Sequence, residues 1–217
     1  MRPEQSALIP ARRRRAAVLV AGVCVLVTAF LGVWYADRDD PGRLDRAVLG
    51  RLVEWFPGHL GVLDVLAAFG SAGPALATTA VVAGVGYLDR RWTSVLLPAI
   101  AAPAAVSVTE LLKPVIGRTI NAYWALPSGH TTAIVSLLVA ALLVARRNRR
   151  RARFVGMLVV VLLAFGLVGM VLGLVRLGLH YATDIVAGGC VGTAAVLLVA
   201  RGLDALDRPE PGASSLR

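Results

Sequence analysis

Long apolar runs, broken by short polar stretches, fill most of this chain. The first covers residues 16–36 (AAVLVAGVCVLVTAFLGVWYA) and closes on Trp34 and Tyr35. Others cover roughly 73–88, 93–112, 130–145, 154–175 and 183–203. Their lengths approach the ~20 apolar residues that cross a bilayer as a helix. In lipid a backbone must satisfy its own hydrogen bonds, so such runs fold as helices. The expected fold class is all-α: a polytopic membrane protein with a six-transmembrane helical bundle.

The stretch 37–59 breaks this rhythm. Leu44, Val48, Leu52, Trp55 and Phe56 recur at helical spacing, while Arg43, Asp45, Arg46 and Glu54 lie mostly elsewhere on the wheel. That pattern predicts an amphipathic helix over about 43–56, lying in the interface and ended by Pro57-Gly58. His59 follows the breaker and reads as a surface residue. A second break, Gly70 to Pro74, precedes the second span, and Pro98 and Pro103 are expected to kink the third. The first run exceeds the apolar core of a signal peptide and ends in bulky aromatics, so it reads as an uncleaved span. The resulting organisation is a basic tail (1–15), a membrane domain (16–203) and a disordered tail (204–217).

Composition agrees with this reading. Of 217 residues 57% are hydrophobic and 17% charged, below the ~25% charged usual in soluble domains. The net charge of +10 raises nucleic acid as a partner, but the placement of arginine argues against it. If the six runs span, 16 of the 23 basic residues fall on the side of the termini, in the tails, the turn after span two and the loop 146–153. Seven fall on the other side, facing eight acids. The positive-inside rule then places both termini in the cytoplasm. The expected partners are the bilayer and a lipid substrate, with no nucleic acid. Cys24 and Cys190 lie inside apolar runs and read as small buried hydrophobes, with no metal or disulfide framework.

This topology sends two polar clusters to the extracytoplasmic face. One is KPVIGRTINAYWALPSGH, from Lys113, the only lysine, to His130. The other is RLGLHYATD, from Arg176 to Asp184. Pro127-Ser128-Gly129-His130 leads directly into a helix, whose free N–H groups suit a phosphate. Gly129 lets the backbone approach closely, and Ser128 also reads as an N-cap. His180 and Asp184 are four apart and share a face if helical, so the carboxylate can fix one imidazole nitrogen while the other attacks. Lys113, Arg118 and Arg176 supply positive charge for a phosphoryl group. Glu110, one turn before Lys113, reads as its structural partner.

The order Lys…Arg, Pro-Ser-Gly-His-Thr, then Arg…His-x-x-x-Asp over roughly 60–203 resembles the type-2 phosphatidic-acid phosphatase family, whose fold is shared with vanadium haloperoxidases. The resemblance implies a metal-independent lipid phosphatase without cofactor. It implies His180 as the nucleophile that forms a phosphohistidine, Asp184 as its activator and His130 as the general acid. Lys113, Arg118, Ser128 and Gly129 would hold the phosphate. The implied substrate is a lipid phosphate monoester or a polyprenyl (pyro)phosphate. A phosphotransferase on the same scaffold, or a non-catalytic lipid-phosphate binder or transporter, would carry the same residues. Two motifs depart from the family. Ile120 and Asn121 stand where it usually has Arg-Pro, and Leu174 where it has an arginine. Arg176 is only four residues before His180, a shift of two positions that turns a helical side chain by about 200°.

Overall fold

A computed structural model describes residues 7–58, 60–88 and 90–207. His59 lies outside the described residues, as does the tail from 208 onward. Eight α-helices follow one another among the described residues: α1 (Arg14–Trp34), α2 (Arg43–Trp55), α3 (Leu60–Ala67), α4 (Ala72–Tyr87), α5 (Trp92–Ile116), α6 (Gly129–Arg147), α7 (Arg150–Arg176) and α8 (Ala182–Leu206). A small hairpin, β1 (Thr119–Ile120) against β2 (Tyr123–Trp124), lies between α5 and α6.

Five helices, α1 and α5 to α8, are long and apolar enough to cross a membrane. The sixth candidate is a bent pair of helices. Gly61–Gly70 and Ala72–Tyr87 pass the same test together but meet at a bend of 54°. The span expected at 73–88 coincides with α4, and α3 leads into it through a 3-10 segment, Ala68–Gly70. The bend seats Gly70 against His130: a Cβ on Gly70 would lie 2.6 Å from His130 Cβ and 2.5 Å from Met170 Sδ.

Three boundaries shift. The basic tail is partly structured, since α1 starts at Arg14 and Leu8 and Ile9 are buried. Asp204 Oδ1 and Oδ2 accept the backbone N–H groups of Leu8 and Ile9 at 2.6 and 2.8 Å. The C-terminal tail starts later than expected, because α8 runs to Leu206. In α5 the chain stays helical through Pro98, Pro103 and Pro114, so those prolines do not end it.

Helix α6 is the hub. Of its apolar window 56% is buried within the bundle, against 17% for α1. It packs on α4, α5, α7 and α8, with Ile134, Leu137, Ala140 and Val144 fully enclosed. Helices α1 and α7 turn large apolar side chains outward, among them Leu26, Phe30, Phe154 and Phe165. In water such a surface would be costly; in lipid it is the solvated face.

Candidate active site

The site is built where the N-termini of α6 and α8 lie side by side. Ser128 is the N-cap of α6; its Oγ accepts from the Thr131 N–H at 3.4 Å and the Thr131 hydroxyl at 3.2 Å. The Ser128 N–H donates to the Asp184 carbonyl at 3.0 Å, which ties the two helix starts together. Thr132 completes the seam. Its Oγ1 lies 2.9 Å from the Ser128 carbonyl, 3.1 Å from the Gly188 carbonyl and 2.9 Å from Thr109 Oγ1. Close approach is possible because Gly188 and Gly192 have no side chains. A Cβ at Gly188 would collide with the Ser128 carbonyl oxygen, and one at Gly192 would stand 2.7 Å from that of Thr132.

This seam brings the two expected histidines together. His130 is the second residue of α6, and His180 sits in the turn before α8. Their ring centroids are 6.3 Å apart, edge to face. The turn forms because α7 ends at a left-handed glycine, Gly178 (φ 67°), and the Leu174 carbonyl accepts both Leu179 and His180 N–H groups. Lys113 and Glu110 close the other flank. Lys113 Nζ lies 2.7 Å from Glu110 Oε1, as the one-turn spacing predicts. The pair stands over Gly129, where a Cβ would meet Glu110 Oε1 at 3.2 Å and Lys113 Nζ at 3.7 Å.

His180 Nδ1 faces Asp184 Oδ2 at 3.6 Å, beyond a hydrogen bond, and Nδ1 is buried without another partner among the described residues. The carboxylate is engaged elsewhere. Asp184 Oδ2 accepts the Tyr181 N–H at 2.8 Å, and Oδ1 accepts Arg118 Nη1 at 2.7 Å.

Arg118 is not where the sequence places it. Expected on the phosphate, it is wholly buried between two carboxylates. Nη1 donates to Asp184 Oδ1 and to Thr183 Oγ1, both at 2.7 Å, and Nη2 to Asp45 Oδ2 at 2.9 Å. Tyr35 and Tyr181 cover its faces, with their ring centroids 4.0 and 4.5 Å from the guanidinium carbon. A left-handed Gly117 (φ 71°) ends α5 and lets the chain dive inward at Arg118. The hairpin then turns at Asn121 and Ala122, both at positive φ, and returns to the Pro127-Ser128 turn.

Asp45 completes this buried cluster, and sequence reasoning missed it. It sits in the first turn of α2, counted as part of a polar face, yet is 1% exposed. Its Oδ1 accepts Thr183 N–H and Thr183 Oγ1–H at 3.0 Å each, and its Oδ2 accepts Gly42 N–H at 3.0 Å. Burial alone would push its carboxyl group up. The bonds from Thr183, Arg118 and Gly42 outweigh that and hold it below the usual carboxylate range. No periodicity links position 45 to 118 and 183, separations of 73 and 138 residues, so sequence carried no signal for it.

Arg176 departs as well. Its Nε donates to the Phe56 carbonyl at 3.1 Å, fastening the end of α7 to the end of α2. Leu174, where the resembled family has arginine, is 1% exposed in an apolar cluster with Ile134 and Met170. Among the described residues no group of three or more His, Cys, Asp or Glu side chains could hold a metal ion.

Residues 103–208 match the family model described as the PAP2 superfamily. The fold is also that of a solved structure, a transmembrane PAP2-type phosphatidylglycerolphosphate phosphatase from Bacillus subtilis, with a TM-score of 0.67. The chain is thus similar to the PAP2 superfamily over just under half of its length. The likeness covers 88% of this chain and 98% of the Bacillus subtilis chain at 17% identity, a level that speaks for the fold. No curated protein matches the chain. The matched segment contains Lys113, Arg118, the Pro-Ser-Gly-His turn, His180 and Asp184, whereas Asp45 and Tyr35 precede it. The apolar helices and the likeness to a transmembrane fold make this an integral membrane protein.

Proposed function

We propose that the protein hydrolyses a lipid phosphate, either a monoester or a polyprenyl (pyro)phosphate, at the extracytoplasmic membrane face through a phosphohistidine on His180. The observation that carries this reading is the pairing of His130 and His180 rings at 6.3 Å beside the N-terminus of α6. That gap admits a phosphoryl group between an attacking and a protonating nitrogen. Reacting atoms need to approach to about 3–3.5 Å.

In the first step His180 Nε2 attacks phosphorus and the bond to the lipid oxygen breaks. His130 gives that oxygen a proton, so a lipid alcohol leaves. In the second step water attacks the phosphohistidine, His130 takes the water's proton, and inorganic phosphate departs. Asp184 Oδ2 faces Nδ1 and favours the positive charge that develops on the imidazole. The 3.6 Å separation shortens as that charge appears; catalytic hydrogen bonds are commonly long before substrate binds. Gly129 and its neighbours supply N–H groups to the phosphate, and Lys113 supplies a cation. Arg118 acts one step back. It holds Asp184 on one oxygen and so leaves the other aimed at His180.

The extracytoplasmic placement rests on the arginine distribution, since the His130 end of α6 lies opposite the arginine-rich end. The test is phosphate release from a panel of lipid phosphates by purified protein. His180→Ala should abolish it, with the wild-type protein turning over at least one member of the panel. Full turnover by His180→Ala would sink the mechanism.

A further inference from the structure

The opposite end of the bundle holds a second concavity, which the phosphatase reading does not use. It is a groove of about 1180 Å³ between the N-terminal segment, α6, α7, α8 and the turn before α5. It lies along the C-terminal half of α6, from Val139 to Arg147, about 14 to 26 Å along the helix from His130 at 1.5 Å per residue. Its walls combine two chemistries. Val139, Leu143 and Leu197, half-buried against the core, form an apolar side together with the exposed Val20 of α1. Seven arginines are among the described residues that line it, one of them, Arg147, within 3.6 Å of Asp207.

Arg12, Arg13, Arg146 and Arg153 are exposed on this rim. Arg147 is the inner member, its side chain 3% exposed. It is held by Thr93 and, at 3.6 Å, by Asp207, while its Nε is buried with no partner among the described residues. The neighbouring acid Asp204 is engaged with the Leu8 and Ile9 N–H groups. Those two bonds make the N-terminal segment a fixed wall, so Arg12 and Arg13 are presented rather than trailing.

We infer that this groove is a binding site for the headgroup of an anionic membrane phospholipid, separate from the catalytic site. The arginine fork suits a phosphate's oxygens, and the apolar wall suits the acyl chains that come attached to it. A rim this rich in exposed arginine suits an anion, and the apolar side favours a lipid anion over a soluble one. The occupant is a phospholipid of the arginine-rich leaflet, bound as a diester and not turned over.

The experiment uses the full-length protein, equilibrated in mixed micelles of phosphatidylglycerol and phosphatidylcholine with matched chains, then read by native mass spectrometry. Wild-type protein should retain phosphatidylglycerol in preference, and the preference should fall as salt is raised. The combined variant R12Q/R13Q/R146Q/R153Q should lose it by roughly tenfold or more, since each basic residue near a charged surface contributes about a fivefold factor. Because the variant leaves the histidine end intact, lipid held there would survive the substitutions. Equal retention of the two lipids by wild-type protein overturns the inference, even if the variant fails to fold. So does a folded variant that keeps the preference. Free inorganic phosphate that displaces phosphatidylglycerol at equal concentration would also overturn it, as the acyl chains would then contribute nothing.

Discussion

Arg118 Nη1 and Asp184 Oδ1 are joined at 2.7 Å, both side chains wholly buried. The contact joins the loop after α5 to the first turn of α8, four residues past His180. With Asp45 on Nη2, the guanidinium has a carboxylate on each of two nitrogens and a tyrosine ring on each face. A phosphate has no open approach to it. In the proposed mechanism Arg118 is therefore a positioning residue, and the phosphate charge would fall to Lys113 and the N-terminus of α6.

Arg118→Ala should damage folding before it damages substrate binding. Removing one member of a buried ionic cluster typically costs about 3–5 kcal/mol, because the remaining charges stay buried and unpaired. Thermal unfolding in detergent should show a large loss of stability. A variant with wild-type stability and only a raised KM would return Arg118 to the phosphate.

Asp45 makes stability depend on acid. Its folded pKa lies below its unfolded value of about 3.9, so its contribution is complete above that value and disappears as pH falls through the folded pKa. Unfolding followed from pH 6 downward should show the wild-type protein losing stability below about pH 4. Asp45→Asn should be less stable at neutral pH and flatter across that acid window. An acid limb unchanged by Asp45→Asn would remove the carboxylate from this role.

His130 can be separated from His180 by the leaving group. An alkoxide needs a proton to leave, whereas a p-nitrophenolate does not. His130→Ala should lower turnover of an alkyl phosphate by about 10²–10⁴, the usual range for general acid catalysis, and that of p-nitrophenyl phosphate far less. His180→Ala should abolish both. Equal losses with the two substrates in His130→Ala would deny it the acid role.

The α6–α8 seam depends on Gly188. A methyl group there would strike the Ser128 carbonyl and force the two helix starts apart. Gly188→Ala should cost about 1–3 kcal/mol, as overpacking does, and should reduce kcat by moving His130 relative to His180. Gly202→Ala is the control, because nothing lies within 4 Å of the added carbon and both measurements should stay near wild type.

Helix class, five of the spans and the amphipathic helix over 43–56 were legible in the sequence, because each follows from local hydrophobic period and length. So were the two histidines and the Lys113–Glu110 pair, where polar residues stand out against an apolar background or face each other within one helical turn. The break before α4 was only half legible: Gly70 to Pro74 marked it, but not the 54° bend between the helices on its two sides.

What tertiary structure alone decided is the use of charge at the site. A sequence shows that Arg118 lies near Lys113 and ahead of Pro-Ser-Gly-His, and proximity along the chain suggests a common task. Its actual partners come from α2 and α8, at separations of 73 and 66 residues. Which carboxylate a buried arginine meets depends on how helices cross, and that crossing is set by packing, here by the missing side chains of Gly188 and Gly192. Residue type and spacing determined which groups could do chemistry. The close approach of α6 to α8 determined that His130 and His180 face each other and that Asp45, distant in sequence, stands behind them.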